Sequence, residues 1–146
     1  MKQQVYNQMQ KNCTLHSICG SYEAESTIRS FLGKDPKYKR EFKGNFLHVP
    51  GSNLIVGGDL EDFAHARIEK GFMDKRQIWF NRRYSPTAGV IKFSFERKDD
   101  MWMGKYIFDF KFRPVEARTE LIDSGPFVEI SEKYKDIIDS FKLQLP

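Results

Sequence analysis

Three residues near the start of the chain could ligate a metal ion: two cysteines, Cys13 and Cys19, with His16 midway between them. A structural zinc site requires four ligands, and this spacing supplies three, so His48 or His65 would have to complete it in space. In a reducing compartment such cysteines are more often buried thiols than disulfide partners. We therefore predict no metal site and no cofactor.

Paired acidic residues, Glu23 with Glu25 and Asp99 with Asp100, are the groups that could perform acid–base chemistry. The first pair lies on the polar side of a predicted strand, and the second lies in a tight turn where solvent and backbone capping explain it. The sequence contains no GxSxG, HExxH, P-loop, GxGxxG or CxxC pattern. We predict no catalytic residue and no enzymatic activity; an enzyme with an unfamiliar acid site is the alternative.

Aromatic and basic side chains remain as candidates for ligand binding, because rings stack on bases and arginine's planar fork suits phosphate oxygens. Arg82 and Tyr84 share one face of a predicted strand, whereas Asn81 and Arg83 share the face of Trp79, and alternation leaves open which face meets a ligand. The predicted ligand-binding residues are Tyr22, Trp79, Arg83, Lys92, Trp102, Lys105, Tyr106 and Arg118.

The strongest strand pattern is in the second half of the chain, where residues 91–96 alternate between apolar and polar side chains. After the charged turn 98–100, a run from 101 to 112 places Trp102, Gly104 and Tyr106 on one face, with Phe108, Phe110 and Phe112 continuing it. Lys105 lies on the other face. A glycine among aromatics leaves room for a neighbouring strand or permits a bend, and which face looks inward stays open.

The remaining elements are short strands separated by turn residues. We predict strands at 18–25, 41–49, 53–56, 75–84 and 115–122, while residues 26–32 fit a helix or a strand and residues 63–70 are ambiguous. Ser131 is a predicted N-cap for a helix through Phe141, because Tyr134, Ile137, Ile138 and Phe141 form one apolar stripe.

About eight short strands without βαβ alternation predict a mainly β fold. We expect a small antiparallel up-and-down, calycin-like barrel with a C-terminal amphipathic helix, since closure removes exposed strand edges. A β-sandwich is the alternative. The 146 residues fit a single domain, 1–146, in which residues 1–14 are a linker or N-terminal extension.

Composition limits the classes of partner. Lys and Arg number 24 against 20 Asp and Glu, a mild and dispersed excess that lacks the clustered basic stripe of a DNA- or RNA-duplex-binding face. Hydrophobic residues make up 40% of the chain, yet no apolar run is long enough for a membrane-spanning helix, and the first residues do not resemble a secretory signal. We expect a cytoplasmic protein.

Several short motifs resemble those of known barrels. Gly20-x-Tyr22 in the first strand and Trp102-x-Gly104-x-Tyr106 after the charged turn resemble the calycin-like barrels. More narrowly, ICGSY, GVIKFSFERKDDMWMGKYIF and EARTELI resemble the barrel domain of the two-transmembrane β-barrel effectors of bacterial CBASS anti-phage systems. That resemblance implies a minimal eight-stranded barrel that senses a cyclic dinucleotide, with ligand-driven self-association. It also implies a location at the cytoplasmic face of the inner membrane if an N-terminal anchor precedes this sequence.

Three non-enzymatic functions follow as expectations. The first is a sensor of a cyclic di- or oligonucleotide in anti-phage defence, in which inward aromatics stack on bases and cations such as Arg83, Lys92, Lys105 or Arg118 meet phosphates. The second is a calycin- or lipocalin-like carrier of a small hydrophobic ligand. The third is a phage or pathogen interaction protein that has no pocket.

Overall fold

The structure is a computed structural model that describes residues 12–25, 37–62, 64–84, 89–108 and 111–142. Its elements, in chain order, are eight strands and two short helices. They are β1 (Cys13–Glu25), β2 (Lys37–Val49), β3 (Leu54–Glu61), β4 (His65–Met73), β5 (Gln77–Arg83), β6 (Ile91–Lys98), β7 (Met101–Phe108), β8 (Lys111–Gly125), α1 (Phe127–Lys133) and α2 (Lys135–Lys142).

The strands form a closed barrel in which each strand pairs with its sequence neighbours. Every pair is antiparallel, and β8 returns to pair with β1 along most of its length. Because β8 closes onto β1, neither of these terminal strands is left as a free sheet edge. The predicted up-and-down barrel is confirmed, and the sandwich alternative is wrong.

Alternation along each strand decides which side chains fill the barrel. On β6, Phe93 and Phe95 are buried while Lys92 is exposed, and on β7 Trp102 and Tyr106 are buried while Lys105 is exposed. The aromatic face therefore points inward. The interior core comprises Ile18, Tyr22, Phe42, Phe46, Ile55, Leu60, Ile68, Ile78, Phe80, Ile91, Phe93, Phe95, Trp102, Tyr106, Val115 and Ala117.

Gly104 lies on this inward face, opposite Phe95 on β6. A Cβ atom at this position would collide with the backbone carbonyl of Ser94 and with the Cα of Phe95. The space that the glycine leaves is thus taken by the neighbouring strand's backbone rather than by an aromatic ring. Gly20, Gly44, Gly58 and Gly71 approach neighbouring backbones in the same way. Close approach of this kind is what a tightly curved sheet needs.

The predicted continuous run from 101 to 112 is wrong. The chain reverses between Phe108 and Lys111, which pair directly, so Phe112 belongs to β8. Phe112 pairs with Ile107 and points outward, and 60% of its surface is exposed. Aromatic residues continue through the reversal, which is why alternation alone did not reveal it. Pro114 lies inside β8 rather than before it.

Two helices stand where one was predicted. Ser131 is not an N-cap: it lies within α1, where its hydroxyl donates to the carbonyl of Val128, and Pro126 occupies the N-cap position. Ile137 and Ile138 are buried as the apolar stripe predicts. Both helices pack on the outer wall of β1–β3, in a second core formed by Cys13, Leu15, Leu47, Val49, Val56, Phe127, Ile130, Ile137 and Ile138.

The described helices are seven and eight residues long, and none of them is long and apolar enough to cross a membrane. Within the ambiguous segment 63–70, residues 65–70 belong to β4, which begins at His65. Residues 1–11 of the predicted linker and residues 26–32 lie outside the described residues, whereas Cys13 and Thr14 already belong to β1.

Candidate functional site

The end of the barrel at which β1 and β3 begin, hereafter the mouth, contains two histidines on adjacent strands. His16 lies on β1 and His48 on β2, where they pair with Phe46 and Thr14 respectively. The pairing of β1 with β8 shifts register next to His16, and the pairing of β2 with β3 shifts register next to His48. Such bulges re-aim side chains, and here they adjoin both imidazoles.

The two imidazoles are close and largely buried. Their ring centroids are 5.7 Å apart, and the His16 ring stacks on Phe46 at 5.2 Å. The Nε2 atoms of both histidines are buried and have no hydrogen-bond partner within the described part of the chain. Burial, together with the charge of His48, lowers the pKa of His16 to about 4, and burial also lowers the pKa of His48. Both rings are therefore neutral at pH 7, when each can donate or accept one hydrogen bond at Nε2.

An aromatic wall stands beside the histidines. The indole Nε1–H of Trp102 donates to Thr119 Oγ1 at 3.0 Å, which holds the ring in place, and the Arg97 guanidinium lies 5.8 Å from the ring centroid. The mouth encloses about 600 Å³. Its lining residues are Thr14, His16, His48, Asn53, Met73, Asp74, Lys75, Arg97, Asp100, Trp102, Thr119 and Leu121.

A buried ionic cluster fills the interior at the opposite end, where β3 and β5 finish. Arg82 Nη1 donates to Asp62 Oδ2 at 2.7 Å, and Asp62 also accepts hydrogen bonds from the hydroxyls of Tyr22 and Tyr84. The Asp62 side chain is fully buried and that of Arg82 is 4% exposed. The backbone N–H of Ala64 donates to Oδ1. We call these four side chains the plug.

The plug is stabilised as an ion pair. Burial opposes ionisation of Asp62, but hydrogen bonds from Tyr22, Tyr84 and the Ala64 N–H, with the charge of Arg82, hold the pKa of this carboxyl below its usual value. Burial and the hydrogen bond to Asp62 raise the pKa of Tyr22 to about 12. The tyrosines are thus protonated donors and Asp62 is an ionised acceptor. Both oxygens of the buried Asp62 carboxylate thus accept hydrogen bonds, as a buried charge requires, whereas the buried Nε of Arg82 has no partner among the described residues.

Three of the eight predicted ligand-binding residues point into the barrel, but at different places. Trp102 forms part of the mouth, and Tyr22 belongs to the plug. Tyr106 lies near the plug, with its ring 5.1 Å from that of Tyr22 and its hydroxyl donating to the carbonyl of Glu23. The predicted set therefore does not form one interior site.

The other five lie on the outer wall. The Lys92 ammonium lies 4.8 Å over the Trp79 ring, Lys105 is exposed, and Arg83 pairs with Glu69. Because strands alternate, placing the aromatic face inward sends these cations outward, so a phosphate inside the barrel cannot meet them. The expected arrangement of inward aromatics with these cations in one pocket is not formed.

Arg118, the fifth, lines a groove of about 760 Å³ on the outside of β8, β1 and β2. Its Nε lies 2.7 Å from the sulfur of Met101. Acidic and basic side chains alternate along this groove, and Lys39 forms an ion pair with Glu116 at 3.0 Å. The groove therefore has no net preference for an anion.

The structure separates the three residues first considered as metal ligands. Cys13 is buried beneath the helices, His16 lies in the mouth, and Cys19 is exposed on the outer wall. Within the described ranges, no group of three or more His, Cys, Asp or Glu side chains is arranged to hold a metal ion. Asp99 and Asp100 form the exposed β6–β7 turn, in which Asp99 has a φ of 59°.

Sequence reasoning missed the residues that the mouth and the plug depend on. The sequence indicates His48 only as a possible metal ligand. Asp62 follows a glycine-rich strand, and the side chains that bind Asp62 are distant from it in sequence. Arg82 was one of two alternatives that alternation left open. Arg82 shares its strand face with Ile78 and Phe80, and the structure shows that this face is buried, so an arginine on it needs a partner of opposite charge.

No protein-family model matches the chain, and a search of curated proteins finds no significant relative. The geometry of the mouth and the plug is therefore the basis for assigning a function.

Proposed function

We propose that the protein is a non-catalytic ligand-binding barrel whose ligand enters the mouth. The observation that carries this proposal is that the buried Nε2 atoms of His16 and His48 have no hydrogen-bond partner among the described residues and lie beside a cavity of about 600 Å³. Buried polar atoms in folded proteins are almost always hydrogen-bonded, so two neighbouring exceptions at a cavity favour a ligand that satisfies them.

The chemistry of the mouth suits a flat, hydrogen-bonding ring that carries an anionic group. Neutral imidazoles can match the donors and acceptors on the edge of a nucleobase, and the Trp102 ring supplies apolar surface. Arg97 and Lys75 stand at the rim, where phosphates would lie. Two acids also line the mouth: Asp74 accepts hydrogen bonds at Oδ1 from the backbone N–H groups of Arg76 and Gln77, and Asp100 lies in the exposed β6–β7 turn.

A cyclic di- or oligonucleotide fits this description, and we propose it as the ligand class. The proposed setting, a cytoplasmic sensor in bacterial anti-phage defence that self-associates on binding, rests on the resemblance to the CBASS barrel domains. In this version of the hypothesis the phosphate-binding cations are Arg97 and Lys75, in place of Arg83, Lys92, Lys105 and Arg118.

The three alternatives receive less support from the geometry. A carrier of a hydrophobic ligand needs a deep apolar cavity, whereas Phe46, Phe80 and Phe93 are fully buried and occupy the centre of the barrel. An interaction protein without a pocket would not need a mouth of this volume. For an enzyme with an unfamiliar acid site, the buried carboxylate would be the expected acid, and that of Asp62 is committed to Arg82 and two tyrosines.

Isothermal titration calorimetry with a panel of cyclic dinucleotides and cyclic oligonucleotides tests the proposal. We expect heat from at least one member, and at least tenfold weaker binding for the double variant His16→Leu/His48→Leu, because two hydrogen bonds to the ligand are lost. The matched control, Lys92→Gln on the outer wall, should bind as the wild type does. Absence of heat from every member of the panel would contradict the proposed ligand class.

A further inference from the structure

The outer wall of β5–β8 carries a surface that combines rings and lysines. Paired residues on neighbouring strands form rows across this wall. One row contains Trp79, Ser94 and Lys105, and the next contains Lys92, Ile107 and Phe112. These residues all belong to the outward face of their strands. We call this surface the outer patch and define it as Trp79, Lys92, Lys105, Ile107 and Phe112.

The rings and the lysines of the outer patch are arranged in pairs. Lys105 Nζ lies 4.6 Å from the centroid of the Phe112 ring, and Lys92 Nζ lies 4.8 Å from that of Trp79. Phe112 is 60% exposed, which is unusual for so large an apolar side chain, and Val90 beside β6 is 39% exposed. Cation and ring thus lie together at the surface, with one face of each ring covered by a lysine.

The charge of the outer patch is positive. The two register rows that hold it contain no acidic residue among the paired positions of β5–β8. The nearest acids in register, Glu96 and Glu116, lie in the next row, and Glu116 is engaged by Lys39. On the other side Glu69 is neutralised by Arg83. Both lysines therefore remain available to an external anion.

We propose that the outer patch docks the barrel on an anionic lipid surface. Lipid phosphates would meet Lys92 and Lys105, while Phe112 and Trp79 would lie at the boundary between headgroups and acyl chains, where aromatic rings are favoured. A single-stranded nucleic acid fits less well, because bases need open ring faces for stacking and the two lysines already lie over these rings. This inference does not depend on the ligand proposed for the mouth.

Vesicle flotation with the purified chain tests the proposal. Vesicles of phosphatidylcholine alone are compared with vesicles containing about 30% phosphatidylserine, with wild type, Lys92→Gln/Lys105→Gln, Phe112→Ser and a charge-matched control, Lys98→Gln/Lys135→Gln. We expect binding only to the anionic vesicles. Each patch lysine should contribute about fivefold, so the patch double variant should bind on the order of 25-fold more weakly, and Phe112→Ser roughly tenfold more weakly.

The control double variant should bind as the wild type does, since Lys98 and Lys135 are exposed lysines outside the outer patch. Thermal unfolding of each variant distinguishes the loss of binding groups on the surface from unfolding of the barrel. Equal binding to both vesicle types, equal weakening in both double variants, or binding to oligo(dT) without binding to anionic vesicles would each overturn the proposal.

Discussion

His16 and His48 are the residues on which the proposed ligand site depends, and their protonation should also be visible in the stability of the barrel. Burial keeps both imidazoles neutral in the folded protein, with the pKa of His16 near 4 against 6.5 for an ordinary histidine. Between these two values the unfolded chain binds more protons than the folded one. The contribution of these neutral imidazoles to the free energy of unfolding is therefore fully present above about pH 6.5 and is lost as the pH falls towards 4.

We expect the free energy of unfolding, measured by urea denaturation, to fall by about 1 to 2 kcal/mol or more between pH 7 and pH 4.5. His16→Asn should remove a substantial part of this dependence, because the replacement does not titrate. His65→Gln is the matched control, because it removes a histidine that is exposed outside the mouth, beside Asp59, and the pH dependence should change more in His16→Asn than in this control. An unchanged pH dependence in His16→Asn would contradict the account of the mouth.

Arg82 and Arg83 are adjacent residues with opposite surroundings. Arg82 is held inside the barrel by Asp62, whereas Arg83 pairs with Glu69 on the outer wall. Removing one partner of a buried ion pair leaves an uncompensated charge, while exposed ion pairs contribute little to stability. The two arginines therefore offer an internal comparison.

Arg82→Met should lower the free energy of unfolding by about 3 kcal/mol or more, and Arg83→Met by about 1 kcal/mol or less. The double variant Asp62→Asn/Arg82→Met should be less destabilised than the sum of its single variants, because no unpaired charge is left. Chemical denaturation of the four proteins measures these differences. Similar losses in the free energy of unfolding for Arg82→Met and Arg83→Met would show that the ion pair of the plug contributes little to stability.

At the scale of the strands, glycines set how closely neighbouring backbones approach. A methyl group at Gly104 would meet the Ser94 carbonyl and the Phe95 Cα, whereas a methyl group at Gly89 would have no neighbour within 4 Å. The conflict at Gly104 involves backbone atoms of β6, so rotation of a side chain cannot relieve it.

Gly104→Ala should therefore destabilise the barrel by about 1 to 3 kcal/mol, the range typical of overpacking, and Gly89→Ala by less than about 0.5 kcal/mol. Thermal unfolding followed by circular dichroism would measure both variants. A Gly104→Ala protein as stable as the wild type would show that β6 and β7 are not in the close contact described.

For the molecule as a whole, the pattern of residues predicted the fold better than the site. Alternation is local, so it predicted that Trp102, Gly104 and Tyr106 share a face, and the need to close edges predicted the barrel. The site joins residues that are distant in sequence: His16 meets His48, and Asp62 meets Tyr22 and Arg82. Such pairings depend on register and on bulges, which the pattern of a single strand does not contain. Arg82 could not be distinguished from Arg83 until one face of the strand was known to point inward.

The whole barrel thus has three chemically distinct surfaces: a mouth with two neutral imidazoles, a filled end with a buried ion pair, and an outer wall with paired rings and lysines. We propose that a small ligand binds at the mouth. The chain has two tryptophans, and they stand on different surfaces, Trp102 in the mouth and Trp79 on the outer wall.

The most direct test is a proton–nitrogen NMR titration of the two indole N–H signals with the cyclic nucleotide that gives heat in calorimetry, the signals being assigned with Trp79→Phe. We expect the Trp102 signal to shift in a saturable way while the Trp79 signal stays in place. A saturable shift of the Trp79 signal alone, or binding that moves neither signal, would contradict this expectation.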